Sequence, residues 1–331
     1  MKVRFLSIIV ILSLYSCQND SKIIVSTEED LQKLSTVHSE IFNLGKKKDS
    51  IILGSNGTKI FYSREALEID DNQPVTLELK EIYNVKKLIF NNINISKNEN
   101  NLKKSLGVIF FEFRTNDQKV RLKKTEQLKV DFPFNIEENL IVLKGEISSP
   151  DEISWTKKKV DIPVIILDTN FLKKYRVSSF LEKKIPLDSL DYYKNLRLEL
   201  FKKGLHISDS LNIYSVMYLP FTGWTSIYKN IQSSSKTSFR LELNNTEIEI
   251  FTIYIIYHDL NSYFSMSRSS KNLNFENIPV TKETSLIILG RNRRLYYDKL
   301  KLGNKSRFKI KLKEIDLKKL DAIFEDIETR K

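Results

Sequence analysis

The chain has 331 residues, of which 41% are hydrophobic and 29% charged, and its 19 Phe and 14 Tyr provide ample material for buried cores. The length suits two domains. The net charge of +12 comes mostly from lysines spread along the whole chain, without the arginine and aromatic stripe typical of nucleic-acid-binding proteins. We therefore expect a solvated lysine surface and no nucleic-acid partner, with an anionic glycan or lipopolysaccharide surface as the alternative.

The first twenty residues predict an exported protein. Lys2 and Arg4 precede a largely apolar run from Phe5 to Leu14, and the single cysteine of the chain, Cys17, follows. This run is too short for a bilayer core of about 30 Å, which needs roughly 20 residues. The pattern indicates a signal peptide over residues 1–16, the alternative being a buried helix or strand with an incidental thiol.

The end of this segment, Leu14-Tyr15-Ser16-Cys17, resembles the bacterial lipoprotein box, although Tyr15 is bulkier than the usual residue. The resemblance implies cleavage before Cys17 and acylation of its thiol and amino group. Each buried methylene of an acyl chain contributes about 0.8 kcal/mol to membrane binding. Cleavage removes two of the 54 basic residues and none of the 42 acidic ones, which leaves about +10.

Gln18, rather than an aspartate, follows Cys17. Among diderm lipoproteins this residue favours the outer membrane over retention at the inner one, so the expected location is the cell envelope, lipid-anchored at the outer membrane. The sequence leaves open whether the protein faces the periplasm or the surface. Because the chain has no second cysteine, it forms no internal disulfide, and core packing must hold the fold.

The mature N-terminus, residues 17–48, is predicted to contain a tether and one amphipathic helix. Ser26 and Glu29 form a capping-box pattern, apolar residues then recur at helical spacing through Leu44, and Gly45 ends the run. His38 falls inside this helix and has no partner at metal-ligand spacing. We interpret it as a surface or packing residue.

Residues 49–150 predict a β-sandwich, because short runs with period-two alternation are separated by turn signals. In Val75–Lys80, three apolar residues alternate with Thr76, Glu78 and Lys80, which therefore belong to the opposite face. The other predicted strands are Thr58–Tyr62, Val108–Phe113, Gln118–Leu122, Leu128–Phe132 and Asn139–Leu143.

Residues 151–220 are less regular and are interpreted as a mixed connector, with a strand over Val160–Leu167 and a helix over Leu187–Lys202. Residues 221–331 predict a second β-sandwich followed by a closing helix that begins at an Asp316 N-cap. Its strands are expected at Ser238–Leu243, Glu247–Tyr257, Ser285–Gly290, Arg294–Leu300 and Arg307–Leu312. The fold class is thus mainly β, with two sandwich-like domains.

The sequence contains no recognisable catalytic constellation. The three histidines, His38, His206 and His258, are far apart, and no metal, nucleophile-elbow or phosphate-loop motif occurs. His258-Asp259 at a strand end is the one acid–base pair to consider, although turn chemistry explains it more simply. We expect no catalytic residue, no metal and no cofactor, while a carboxylate pair of the glycosidase type stays open.

Two tryptophans are the candidate binding aromatics. Trp155 and Trp224 are interpreted mainly as packing residues, with sugar stacking on an envelope β-sandwich as the alternative. Three Asp-Ser-aliphatic triplets match a loose pattern for O-glycosylation in Bacteroidetes, which makes Ser50, Ser189 and Ser210 candidate modification sites.

Several stretches resemble a family of uncharacterised Bacteroidetes lipoproteins. They run in order along the chain: Gly54–Ile93, Lys144-Gly145-Glu146 with Trp155, Thr222-Gly223-Trp224 and Phe275–Pro279. The first stretch is also similar to the small β-sandwich module of ankyrins and netrin receptors. Asn98–Asn101 and Gly107 replace the glycine-rich turn of the family. The resemblance implies architecture and a source, but no activity and no catalytic residue.

The leading hypothesis is a non-enzymatic envelope lipoprotein, anchored through Cys17, that serves as an interaction or structural module for an envelope protein or glycan. The first alternative is a carbohydrate-active or peptidoglycan-processing enzyme with carboxylates in a cleft between the domains. The second is an accessory subunit of a secretion, motility or uptake assembly. An acidic pair facing a cleft would favour the enzyme.

Overall fold

A computed structural model describes the chain in ten segments, and within them the protein is mainly β, as the sequence predicts. The segments are residues 27–35, 37–94, 102–134, 140–149, 152–158, 160–166, 214–232, 235–244, 247–303 and 305–328.

The strands of these segments are numbered in chain order. They are β1 (Glu40–Gly45), β2 (Asp49–Leu53), β3 (Lys59–Ser63), β4 (Val75–Ile82), β5 (Leu102–Thr115), β6 (Gln118–Val120), β7 (Leu128–Phe132), β8 (Leu140–Ser149), β9 (Glu152–Lys158), β10 (Asp161–Ile166), β11 (Tyr214–Leu219), β12 (Gly223–Ile231), β13 (Lys236–Leu243), β14 (Ile250–Tyr257), β15 (Ser262–Ser269), β16 (Asn274–Pro279), β17 (Thr284–Arg291), β18 (Leu295–Lys301), β19 (Arg307–Ile310) and β20 (Lys313–Ile315). The helices are α1 (Thr27–Gln32), α2 (Val85–Phe90) and α3 (Leu317–Glu328).

The first sandwich packs a seven-stranded sheet against a five-stranded one. The larger sheet has the order β1-β4-β5-β12-β8-β9, with β6 paired to β5, and the smaller one β10-β11-β7-β3-β2. Alternate residues of β4 and β5, such as Leu77, Phe111 and Phe113, are fully buried against Ile60 and Val130 of the facing sheet. Each such side chain contributes about 1.5–3 kcal/mol when removed from water.

The second sandwich packs a five-stranded sheet, β15-β14-β17-β18-β20, against a three-stranded sheet, β16-β13-β19. Phe239 lies at the centre of its core, stacked on Phe275 and edge-on to Phe308. Phe251 and Ile253 of β14 are fully buried in the same core. The alternation that predicts these strands therefore also builds the core.

A third cluster, the middle core, lies between the two sandwiches. It combines residues of the three helices with one face of each large sheet, including Val108 of β5 and Ile287 of β17. Phe90 of α2 and Phe324 of α3 meet edge-on at its centre, with ring centroids 5.1 Å apart. Lys86 of α2 contacts the carboxylates of Asp321 and Glu325 in α3. These contacts fix how the two sandwiches pack together.

The predicted N-terminal helix is wrong beyond its first two turns. Helix α1 ends at Gln32, and Glu40–Gly45 forms the edge strand β1. Apolar residues at helical spacing continue through this segment, but Phe42 and Leu44 alternate with exposed neighbours and pack in the first sandwich. Gly45 has a left-handed φ of 55° and ends a strand rather than a helix. His38 lies exposed between α1 and β1.

The first sandwich also extends further along the chain than the sequence predicts. Of the strands in the expected connector, β9 belongs to the seven-stranded sheet, and β10 and β11 belong to the five-stranded sheet. Strand β12 lies in the middle of the seven-stranded sheet. The second sandwich therefore begins after Ile231, rather than at residue 221. The predicted connector helix, Leu187–Lys202, lies outside the described residues.

The closing helix is confirmed. The carboxylate of Asp316 accepts a hydrogen bond of 2.8 Å from the backbone N–H of Lys319, as an N-cap does. Leu320 and Phe324, from the predicted apolar stripe, are fully buried in the middle core. The apolar side of the helix thus forms part of the middle core.

Candidate functional site

One face of the seven-stranded sheet carries the strongest candidate site. The strand registers place one residue from each of five neighbouring strands in a single line, which we call the aromatic row: Lys80, Phe110, Trp224, Gly145 and Trp155. Side chains alternate between the two faces of a strand. The aromatic row therefore lies on the face opposite the core of the first sandwich, which we call the open face.

The aromatic row lies at the border between covered and exposed parts of this face. On one side of the row, Val108 lies two residues before Phe110 in β5, and Leu143 lies two residues before Gly145 in β8. Both are buried in the middle core. On the other side of the row, Ile147 lies two residues after Gly145 in β8 and is 68% exposed. The tryptophans and Phe110 are half-buried. Both tryptophans pack at the edge of the middle core and still present surface to solvent.

Two rings of the aromatic row, Phe110 and Trp224, contact each other across neighbouring strands. Phe110 and Trp224 have centroids 5.1 Å apart with a 50° angle between ring planes, within the range of favourable aromatic pairs. Lys80 places its Nζ atom 5.4 Å from the Phe110 centroid, which is a cation–π distance. The row therefore begins with a cation and continues as apolar rings.

Gly145 leaves space into which both tryptophans pack. A Cβ atom at this position would lie 2.8 Å from Cβ of Trp224 and 2.9 Å from Cζ3 of Trp155. The Trp155 ring thus covers the glycine and reaches toward Trp224. Its Nε1–H is covered and has no acceptor among the described residues. Packing rather than a hydrogen bond holds the ring in place.

A polar row runs beside the aromatic row, two positions along β4 and β5. Glu78 and Glu112 are directly opposite each other. Arg114 contacts both carboxylates, at 3.4 Å and 3.0 Å, and Lys119 contacts Glu112 at 2.7 Å. Ser39 donates a hydrogen bond of 2.6 Å to Glu78. The open face therefore carries fixed, charge-compensated polar groups next to its rings.

The charge state of Glu78 follows from these contacts. Burial raises its pKa, but the hydrogen bond from Ser39 and the charges of Lys80 and Arg114 outweigh burial, so the pKa lies below its ordinary value. Glu78 is therefore ionised at neutral pH and donates no proton. Glu78 and Glu112 are cross-strand partners on one face of the sheet, as a pair of glycosidase carboxylates could be, but their ion pairs suit hydrogen bonding to a ligand better than acid catalysis.

Of the candidate residues predicted from the sequence, the structure brings only some close together. Trp155 and Trp224 come together through Gly145. Ser50 lies half-buried in β2, opposite Tyr62 of β3. The other candidates lie outside the described residues: Cys17, Ser189, Ser210 and His206.

His258 and Asp259 do not form an acid–base pair. The Asp259 carboxylate accepts a hydrogen bond of 2.6 Å from Thr281, whereas His258 Nε2 lies 2.8 Å from the hydroxyl oxygen of Ser285. Both residues belong to a short helical turn that Asn261 ends in a left-handed conformation. This is the turn that the sequence favours.

Within the described segments, no group of three or more His, Cys, Asp or Glu side chains is placed to hold a metal ion. A helix long and apolar enough to cross a membrane is likewise not found in that part of the chain.

The buried carboxylate Glu81 has a structural role. It is 3% exposed and accepts 2.8 Å hydrogen bonds from the backbone N–H groups of Asn56 and Thr58, as well as one from the Thr58 hydroxyl. These bonds fix the turn between β2 and β3. Gly54 leaves the space that the carboxylate occupies, since a Cβ there would lie 2.4 Å from Glu81 Oε2. The turn from Gly54 to Thr58 therefore surrounds the Glu81 carboxylate and donates hydrogen bonds to it.

The second sandwich carries a shallow polar cleft of about 280 Å³ at the edge of its three-stranded sheet. Arg240, Glu242 and Lys271 are among its lining residues. Among the described residues that line it, Glu242 is the single acidic one, and its carboxylate lies 3.8 Å from Arg307. This cleft lies within the second sandwich, and its described lining does not supply a carboxylate pair.

Sequence reasoning found the tryptophans but not their neighbours. It placed Glu78 and Lys80 on the outward face of their strand, and the burial pattern of β4 confirms this. Phe110 was missed because Phe110 and Phe111 are adjacent apolar residues, of which only Phe111 points into the sandwich core. Glu112, two positions after Phe110, was the signal for the outward face.

No protein-family model matches the chain, and the searches of curated proteins and of solved structures give no match either.

Proposed function

We propose that this protein is a lipid-anchored envelope protein that binds a partner through the open face of its seven-stranded sheet. The anchor is Cys17, for the reasons that the sequence provides. The observation that carries the binding role is the aromatic row, in which three half-buried rings lie side by side outside the sandwich core. Binding surfaces are typically enriched in such aromatic residues.

The surroundings of the row support binding rather than catalysis. Two exposed apolar side chains lie near it, since Ile41 of the edge strand β1 is 64% and Ile147 of β8 is 68% exposed. Glu78 and Glu112 are held by Arg114, Lys119 and Lys80. Groups that are already fixed in this way lose little conformational freedom when a ligand binds.

A carbohydrate-active enzyme is the second candidate, and the Glu78–Glu112 pair is the observation that favours it. A glycosidase needs one carboxyl group with a raised pKa as its general acid. The lowered pKa of Glu78 opposes that role for this residue. We therefore favour a binding function over an enzymatic one.

The proposal is tested by co-purification from detergent-solubilised membranes, comparing the wild type, Cys17→Ala and Trp224→Ala, with intact-mass analysis of the mature N-terminus. We expect an acylated Cys17 and a partner that is retained by the wild type and lost with Trp224→Ala. Phe61→Ala is the matched control, because Phe61 also lies under a lysine, Lys129, but on the other sheet. An unacylated, uncleaved N-terminus would refute the anchor, and retention by Trp224→Ala would refute the binding face.

A further inference from the structure

We propose that the open face binds an extended, uncharged oligosaccharide that lies across the strands, with its sugar rings on the aromatic row. This inference rests on the proposed function and identifies the ligand class of the same face. It is carried by the juxtaposition of a narrow line of rings, Phe110, Trp224 and Trp155, with a parallel line of fixed polar groups.

The dimensions of the aromatic row suit more than one sugar ring. Adjacent strands lie about 4.8 Å apart, so the positions of Trp224 and Trp155, two strands apart, are separated by about 10 Å. From Phe110 to Trp155 the row spans three strand spacings, or about 14 Å. Because the Trp155 ring covers Gly145, the rings themselves form a shorter line. This line accommodates two linked pyranose rings, whose C–H faces pack on the electron-rich faces of aromatic side chains.

The polar row supplies what the edges of a sugar require. Pyranose hydroxyl groups point sideways from the ring and need hydrogen-bond partners beside the aromatic surface. Glu78 and Glu112 lie two residues along their strands from the row, at about 7 Å. Each is 15% or less exposed and is oriented by Arg114. A carboxylate has acceptor sites on both oxygens and a guanidinium has five N–H donors, so both groups can hydrogen-bond sugar hydroxyls.

The charges of the face favour an uncharged chain over a polyanion. Lys80, Arg114 and Lys119 are already paired with Glu78 and Glu112. A carboxylate, sulfate or phosphate on the ligand would meet these two glutamates and gain little from the cations. The apolar strip is also one residue wide where the polar row begins, which is narrow for the apolar centre of a stable protein interface.

The chain offers a direct reporter for this site, because its two tryptophans are both in the aromatic row. The full-length protein in detergent is titrated with cellohexaose, xylohexaose, mannohexaose, maltohexaose and an oligogalacturonate, and binding is followed by tryptophan fluorescence and calorimetry. We expect at least one uncharged hexasaccharide to bind with little dependence on salt. Phe110→Ala and Trp224→Ala are expected to weaken it by about tenfold or more.

Trp224→Phe is expected to restore most of the affinity because it keeps an aromatic face, and Phe61→Ala to leave it unchanged. Circular dichroism and unfolding curves identify any variant that fails to fold. Binding to none of the hexasaccharides, binding to oligogalacturonate alone, or equal affinity of Trp224→Ala would each overturn the inference. If Trp224→Ala at the same time loses a co-purified protein partner, the open face binds that protein and the proposed function stands without the glycan.

Discussion

Asp30 of α1 forms an ion pair with Arg291 of β17, across 261 positions of sequence. Thr27 of the same helix donates a hydrogen bond of 2.7 Å to Thr252 of β14, and Leu31 is buried in the middle core. A helix of six residues is not stable by itself. These contacts therefore hold α1, the first described element of the chain, on the sheet of the second sandwich.

Replacing Asp30 with Asn is expected to lower the free energy of unfolding by about 1–3 kcal/mol, because Arg291 loses its counter-charge at a nearly buried position. The measurement is chemical denaturation of the purified protein. Lys33→Ala is the control, since Lys33 also contacts Asp30, at 3.4 Å, but is 60% exposed. Its loss should cost less than about 1 kcal/mol, and equal effects of the two substitutions would contradict this account.

Glu81→Gln is expected to destabilise the first sandwich by about 1–3 kcal/mol. The amide keeps the size of the side chain but turns one acceptor into a donor that faces the N–H groups of Asn56 and Thr58. Hydrogen exchange of the β2–β3 turn should accelerate together with the loss of stability. The exposed Glu126 provides a matched control. Unchanged hydrogen-exchange rates in the turn would show that Glu81 does not stabilise it.

Gly145→Ala tests the packing of the two tryptophans around the glycine. The added Cβ meets Trp224, Trp155 and Ile153, each within 3 Å, so at least one ring must move. We expect a cost of about 1–3 kcal/mol and a shifted tryptophan emission spectrum. Gly303→Ala is the control, because nothing lies within 4 Å of its added Cβ. An unchanged spectrum in Gly145→Ala would contradict the observed packing.

The sequence predicts those elements whose pattern is local. Leu128–Phe132 is observed with the predicted bounds, since alternation and turn signals suffice to define a strand. The Asp316 cap is equally local, because the carboxylate and the Lys319 N–H lie within one turn. Such features depend on a few neighbouring residues and not on the rest of the fold.

The missed features depend on distant parts of the chain. The segment around Ile41 fits a helical and a strand pattern alike, and its pairing with Val75–Ile82 decides between them. Trp224 reaches the first sandwich because β12 inserts between β5 and β8, a non-local pairing that periodicity does not reveal. The aromatic row therefore becomes visible only with the strand order.

Glu78 should make the stability of the protein depend on pH. Its pKa is lowered in the folded state, so its contribution to folding is fully present above the pKa of the unfolded chain, about 4.3. The contribution is lost as the pH falls through the lower folded pKa. The unfolding free energies of the wild type and Glu78→Gln are compared between neutral and acidic pH.

The difference between these two proteins should be about 0.5–1 kcal/mol at neutral pH and should vanish in acid, where Glu78 is protonated in both states. The exposed Glu65 is the matched control, because Glu65→Gln leaves the polar row intact. A difference that grows as the pH falls would mean that burial, rather than the Ser39 hydrogen bond and the neighbouring cations, dominates at Glu78. In that case Glu78 would hold its proton more tightly than an ordinary glutamate, and the case for an acid catalyst on the open face would be restored.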